Sequence, residues 1–389
     1  MKLEYLLERE LFFESFSNFL RNFTLNRFGC ELGNIEVSTS VFSLYKAKYI
    51  VNKNLGFIAP IGFPQGCLRK LTQDYSYGLD SRFNILRRIY VFLATSHFFR
   101  AIFASHFVIV SDYPTLMGCY CVIPGNHSYK MFDQKTNSFE VFAKEEFDED
   151  FIRNEIYIRK AFPFLSFPPF TLHTDGIVSY REEFVDAISL NRLKSKALQI
   201  SYKDRALFEL KKLHLATSEL TNTFEYLDKI RNEFDVSIRK LPIVFDDTIK
   251  AKIQFLFDEL IAIVRLTAES EMWTCMSHGD FQPGNILINE QKDQLYIIDW
   301  EYAGRRSQFY DIVTFHCGLR SNLDDNEINA CVNEVDGAEG ILNAWQLDIC
   351  LLEDVLVKIR ERGSYIITKA DQPLLDYVSN LIGYLDKHA

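Results

Sequence analysis

The sequence has no pair of cysteines at C-x-x-C spacing, although eight cysteines are scattered through its 389 residues. That removes the usual zinc and redox motifs and leaves no disulfide framework to read. Cys119 and Cys121, alternating on a strand-like run, and the other cysteines read as small core residues in a reducing compartment. An excess of positive charge is also lacking: 43 Lys and Arg face 53 Asp and Glu, a formal net charge of -10. Nucleic acid is therefore not expected as a partner, because there is no basic field to draw in a polyanion. The N-terminal MKLEYLLERELFF places Glu4, Glu8 and Glu10 where a secretory leader needs an unbroken apolar run, so the expected compartment is the cytoplasm. The most apolar stretch, Ile89 to Val110, is interrupted by His97, Arg100 and His106. A charge near the centre of a span costs about 2.5–3.5 kcal/mol, which favours a buried helix leading into a strand and leaves only peripheral membrane contact open. Internal repeats and low-complexity tracts are absent.

What is present is a 48% apolar chain of 389 residues, longer than the roughly 250–300 that one hydrophobic core organises, and lobes are expected. Residues 1–108 hold 15 of the 34 phenylalanines and are set apart as an aromatic-rich N-terminal unit of unassigned role. In it Phe12, Phe16, Phe19, Leu20 and Phe23 recur at helical spacing. Gly56, Pro60, Gly62, Pro64 and Gly66 then mark a loop-rich stretch before a second helical segment, Asn84 to Phe103. HFVIV, CYCVI, SYKMF and SFEVFAK read as strands, with Asp133 to Asn137 as a hairpin loop. The helix DFIRNEIYIRKAF follows Asp148 or Asp150 as a cap, and two more strands flank the Asp175-Gly176 turn. Residues 109–187 are thus expected to form a small sheet lobe, and 188–389 a helical lobe with one strand-rich insert at 286–300.

The chemistry gathers in SHGDFQPGNILI, Ser277 to Ile288, and QLYIIDWEYAG, Gln294 to Gly304. Asp280 and Asn285 sit five apart across a Pro-Gly turn, and Asp299 ends an apolar run of buried-strand character. Singly, each residue is a common self-capping turn residue. Together they place three oxygen-bearing side chains on one hairpin, and oxygen ligands suit magnesium. Phosphoryl transfer asks little covalent chemistry of a protein; a base for the hydroxyl and a metal to spread charge suffice. His278 reads as a supporting residue of the loop.

The run H-G-D-x-x-x-x-N followed by I-D-W-E resembles the catalytic loop and metal-binding segment of the choline kinase and aminoglycoside phosphotransferase group, over roughly residues 110–389. The resemblance implies an α+β, two-lobed protein-kinase-like fold and an ATP- and Mg2+-dependent kinase acting on a hydroxyl. By it Asp280 is the catalytic base, Asn285 and Asp299 hold magnesium, and Asp311 braces the loop. It further implies Lys144 on the phosphates, Glu155 as that lysine's partner, Ser128 in the phosphate-covering loop PGNHS, and the Glu183 carbonyl and Val185 amide on adenine. DWEYAG is closer to choline and ethanolamine kinases than to most antibiotic kinases, but no tryptophan-rich helix lies near the C-terminus, and Trp345 reads as core. Arg305 and Arg306 read as a solvated pair or as contacts to an anionic acceptor. An amino alcohol and a sugar or glycan precursor therefore stand level as acceptors. The alternatives are an aminoglycoside-resistance kinase and a catalytically silent kinase-like scaffold.

Overall fold

Short runs rich in Val, Ile, Phe and Tyr form strands here, and longer runs with one apolar face form helices, so the chain divides by composition. The computed structural model describes residues 3–77, 81–145, 147–173, 178–319, 342–363 and 372–388. Two units result: Met1–Arg153 with Phe167–Tyr202 and Leu287–Tyr296, and Asn154–Ser166 with Lys203–Ile286 and Ile297–Ala389. The expected Asp175-Gly176 turn lies outside the described residues.

The first unit is built on a nine-stranded antiparallel sheet. Its strands are β1 (Ile35–Ser38), β2 (Ala47–Asn52), β3 (Phe57–Pro60), β4 (His106–Val110), β5 (Tyr120–Pro124), β6 (Ser128–Asp133), β7 (Ser138–Ala143), β8 (Phe170–Leu172) and β9 (Ser179–Glu183). They lie in the order β1-β4-β2-β3-β5-β6-β7-β9-β8. Helices α1 (Leu3–Arg9) and α2 (Phe12–Phe28) cover one face. There Phe12, Phe16, Phe19 and Phe23 pack on Tyr129, Met131 and Val122, each fully buried ring contributing roughly 1.5–3 kcal/mol. On the other face α3 (Gln65–Leu71) sends Leu68 against Phe57, Phe63, Phe107 and Phe132, and α4 (Asn84–Thr95) follows.

This sheet corrects the expected boundary at 108. Strand β4 pairs with both β1 and β2, so that boundary cuts a strand inside a continuous sheet, and residues 1–108 are not a separate unit. The glycines and prolines read as loop punctuation include strand ends: Gly56, at φ +70°, closes the β2–β3 hairpin by donating its N–H to Asn52 O at 2.9 Å. Pro60 ends β3 opposite Tyr49.

The second unit is mainly helical. It holds α5 (Asp150–Ala161) and α6 (Lys196–Thr217), each shared at one end with the first unit, and α7 (Thr223–Lys240), α8 (Asp247–Thr267), α9 (Tyr310–Cys317), α10 (Ala344–Gly363) and α11 (Gln372–His388). Asn222 caps α7 through Phe224 N and Glu225 N, and Asp246 caps α8 through Ile249 N. Helix α10 is buried along most of its length. Among the described residues a three-stranded sheet that the sequence reading missed also lies here. Its strands are Glu219–Asn222, Glu271–Ser277 and Gly304–Ser307, with the second in the centre. Six cysteines are free thiols; Cys317 is disulfide-bonded, contrary to the all-thiol expectation. Among the described residues no helix is long and apolar enough to cross a membrane.

Candidate functional site

The central strand Glu271–Ser277 delivers the chain into the loop His278–Asn285, and a buried carboxylate sets the path of that loop. Asp311, fully buried near the start of α9, accepts hydrogen bonds from Ser277 Oγ at 2.8 Å, His278 N at 2.7 Å and Gly279 N at 3.0 Å, with His214 Nε2 at 3.5 Å. Burial by itself raises its pKa. The His214 hydrogen bond, the electrostatics of the His214 and His278 rings and the His278 amide outweigh that and hold it below its ordinary value. Gly279 has φ +83°, and a Cβ there would run into the Tyr302 carbonyl and come within 2.8 Å of Arg306 Nη1. Only glycine lets the loop turn here.

Beyond this turn the Asp280 carboxylate is held from both sides. Gln282 Nε2 donates to Oδ1 at 2.6 Å and Asn285 Nδ2 to Oδ2 at 2.8 Å. Asn285 Nδ2 also reaches Asp280 O at 2.9 Å, so the Asn285 amide nitrogen is committed to Asp280 and its carbonyl oxygen is the atom suited to a ligand. His278 Nδ1 accepts from Asp280 N at 3.2 Å, which leaves Nε2 as donor to Ile298 O at 3.0 Å. Its ring lies 4.4 Å from that of buried Trp300. His278 thus ties the loop to the segment Ile298–Trp300, which carries Asp299. A bond from Ile298 N to Asn285 O at 3.0 Å adds to this tie. Asp299 itself sits at φ +62°, ψ 52°, a left-handed conformation uncommon for a non-glycine residue and frequent at functional sites.

Asp280 and Asn285 are thus bonded to each other, and the bond from Ile298 N to Asn285 O ties their loop to the segment that ends at Asp299. Asn285 and Asp299 could offer oxygen atoms to a cation, the donor type that magnesium takes. Among the described residues no group of three or more His, Cys, Asp or Glu gathers to hold a metal, so an ion here would take further ligands from water or phosphate.

Lys144, in the first unit, follows β7. Its Nζ pairs with Glu10 Oε1 at 2.6 Å, both side chains buried, and lies 5.3 Å from the Tyr129 ring centre and 4.9 Å from that of Phe147. Glu155, in the second unit, pairs with Arg159 at 2.6 Å. The partners found for the two residues expected to pair are therefore a helix-connecting acid and a one-turn neighbour. Ser128 is buried at the start of β6, in a tight turn where Gly125 N donates to Ser128 O at 2.7 Å. Lys144 N donates to His127 O at 2.9 Å, which brings Lys144 beside that turn. Glu183 ends β9 with its N–H on Pro169 O at 2.8 Å, and Val185 follows two residues on, after Phe184 N, which donates to Asn137 O at 3.0 Å.

Trp345 is buried, as read. Arg305 and Arg306 are not a solvated pair. Arg306 is buried and donates to Tyr302 O at 2.8 Å, and Arg305 reaches Thr217 O at 3.1 Å and Glu219 at 3.3 Å. Sequence reasoning missed Gln282, Gly279, His214 and Glu10. The first two stand inside the motif, where their type was visible but not their task; Glu10 stands 134 residues from its partner with no local signal.

Comparison with known proteins bears on this hairpin directly. Residues 177–338 match the family model for choline/ethanolamine kinase. The match contains Asp280, Asn285, Asp299 and Asp311 and stops short of Ser128, Lys144 and Glu155. Protein LicA of Haemophilus influenzae is 30% identical over 105 residues, 27% of this chain and 37% of its own. Probable choline kinase 3 of Arabidopsis thaliana is 38% identical over 58 residues, 15% of this chain and 16% of its own. The matches thus span well under half of either relative. Among solved structures, choline kinase LicA from Streptococcus pneumoniae is similar over 68% of this chain and 90% of its own, at 14% identity and a TM-score of 0.45. The likeness to choline/ethanolamine kinases is therefore one of sequence, over a stretch that contains the braced hairpin.

Proposed function

We propose that this protein transfers the γ-phosphoryl group of ATP to a hydroxyl of a small molecule, with an amino alcohol such as choline or ethanolamine as the acceptor class. The observation that carries the reading is the Asp280 carboxylate fixed between Gln282 Nε2 and Asn285 Nδ2 on a loop braced by buried Asp311. A carboxylate so held can accept the proton of an incoming hydroxyl at Oδ1 or Oδ2 without first being ordered, which lowers the entropic part of the barrier. Asn285 Oδ1 and the Asp299 carboxylate are the groups that would hold magnesium, and the ion, when bound, would spread the charge of the transferred phosphoryl. Lys144 is the cation proposed for the nucleotide phosphates, with the turn at Ser128 beside it and the backbone at Glu183 and Val185 for the adenine. Glu155 is kept as a proposed nucleotide-side residue. The amino alcohol is preferred over a sugar because the family model matched is that of choline/ethanolamine kinase.

The test is acceptor-dependent ADP release from magnesium-ATP over a panel of choline, ethanolamine, hexoses, amino sugars and aminoglycosides. Turnover with choline or ethanolamine supports the proposal. Turnover with only a sugar or an aminoglycoside corrects the acceptor. Nucleotide binding without turnover on any of them assigns the protein to the scaffold class.

A further inference from the structure

Helix α4 presents its apolar residues outward. Ile85, Leu86, Ile89 and Phe92 are 71%, 62%, 51% and 53% exposed, while Val91, Ala94 and Thr95 are buried on the opposite side. At positions 85, 89 and 92 these residues form one helical stripe. The segment after it continues the pattern, with Phe98 89% and Ile102 71% exposed. Ala101 and Ala104 pack on the same core cluster as Leu68 of α3 and Leu44, so the turn carrying Phe42, 88% exposed, stands on the same side of the sheet. Scattered single apolar residues need no explanation, but a helix stripe with flanking phenylalanines does.

The charge beside this stripe runs against that of the chain. Residues 65–105 contain Arg69, Lys70, Arg82, Arg87, Arg88 and Arg100 against Asp74 and Asp80, a net of +4 within a protein of formal charge -10. Arg100 is buried and hydrogen-bonded to Ile61 O and Phe63 O. Arg69 lies over the Phe92 ring at 4.3 Å and Arg88 over Tyr77 at 5.3 Å, so cations border the apolar residues. An outward apolar stripe edged by Arg and Lys, on a helix too short to span a bilayer, is the pattern of a segment lying in a membrane interface.

We infer that the α4 face, with Phe98, Ile102 and Phe42, docks the protein on an anionic lipid surface. The acyl boundary takes the apolar stripe and lipid phosphates take Lys70, Arg69 and Arg88. The inference is independent of the phosphotransfer reading, because it uses none of the hairpin residues.

The test is sedimentation of the full chain with vesicles of phosphatidylcholine alone and of phosphatidylcholine with phosphatidylglycerol, alongside its elution volume without lipid. Partition onto the anionic vesicles should be at least about tenfold stronger and should weaken with salt. Ile89→Asp with Phe92→Asp should lower it at least about tenfold, because the apolar anchor is lost. Lys70→Glu with Arg88→Glu should remove the preference for anionic lipid. These positions are exposed, so unchanged thermal unfolding of the variants would separate lost docking from lost fold. Equal partition onto both vesicle types, wild-type partition by the Asp variants, or no partition at all overturns the inference. A dimer that the Asp variants convert to monomer assigns the face to a second copy and overturns it as well.

Discussion

Replacing Asp311 with Asn keeps the shape of the side chain and removes the charge that braces the loop His278–Asn285. Asp311 Oδ1 accepts from Ser277 Oγ and Gly279 N, and Oδ2 from His278 N, with His214 Nε2 further off. An asparagine keeps one acceptor oxygen and sets an N–H2 against donors on the other side, so at least one buried backbone N–H faces a donor. Leaving a buried group unsatisfied costs about 1–3 kcal/mol, and hydrogen bonds to a charged acceptor are each worth about 1.5–3 kcal/mol. A net loss of about 3 kcal/mol follows, and at about 2–4 °C per kcal/mol for units of this size the transition should fall by roughly 6–12 °C. Thermal unfolding by circular dichroism, with urea titration as a check, measures it. The sign of the pH dependence gives a second reading. The depressed pKa of Asp311 supplies stability that is present above its ordinary value of 3.8 and lost as pH falls through the folded value, and the Asn variant should lack that part of the acid limb. A variant within about 0.5 kcal/mol of wild type, the range of ordinary surface substitutions, would refute the bracing role.

Gly279→Ala forces a methyl toward the Tyr302 carbonyl at φ +83°; acceptor-dependent turnover should fall at least about tenfold by displacement of Asp280, as misplacements of about 1 Å do, while magnesium-ATP binding by calorimetry stays near wild type. Glu10→Gln removes the buried carboxylate that pairs with Lys144 Nζ and should cost about 3–5 kcal/mol; the double variant Glu10→Leu, Lys144→Met should recover most of that stability in urea unfolding. Glu353 is buried with Ser307 N at 2.6 Å and Ser307 Oγ at 2.7 Å, and burial outweighs the Tyr226 and Ser307 hydrogen bonds to leave its pKa above the ordinary 4.5. Its contribution is therefore full below 4.5 and lost as pH rises through the folded value, so urea midpoints taken upward from pH 4.5 should fall in wild type and lose that fall in Glu353→Gln.

The local pattern carried far where chemistry and geometry share one short segment. Asp280, Asn285 and the strand before Asp299 were legible because their spacing encodes a single hairpin, and Phe12 to Phe23 because a helix repeats its apolar face. Legibility failed where partners are distant. No pattern around Glu10 tells that it meets Lys144, since a buried ion pair is set by how helices dock on a sheet. The boundary at 108 failed because β4 owes its place to pairing with β1 and β2, contacts that span some 55 to 75 residues and leave no mark on either local sequence. Arg305 and Arg306 were misread for a related reason: guanidinium groups meet backbone carbonyls that composition cannot show.

The most direct measurement is acceptor-dependent ADP release by Asp280→Asn beside wild type, with magnesium-ATP binding followed on the same samples. Turnover should drop by about 10²–10⁴, the range of a lost general base, with nucleotide affinity within about threefold of wild type, since Asp280 is assigned to the hydroxyl and not to the nucleotide. Undiminished turnover by the Asn variant would contradict the assignment of Asp280, and with it the reading of the braced hairpin as the centre of phosphoryl transfer.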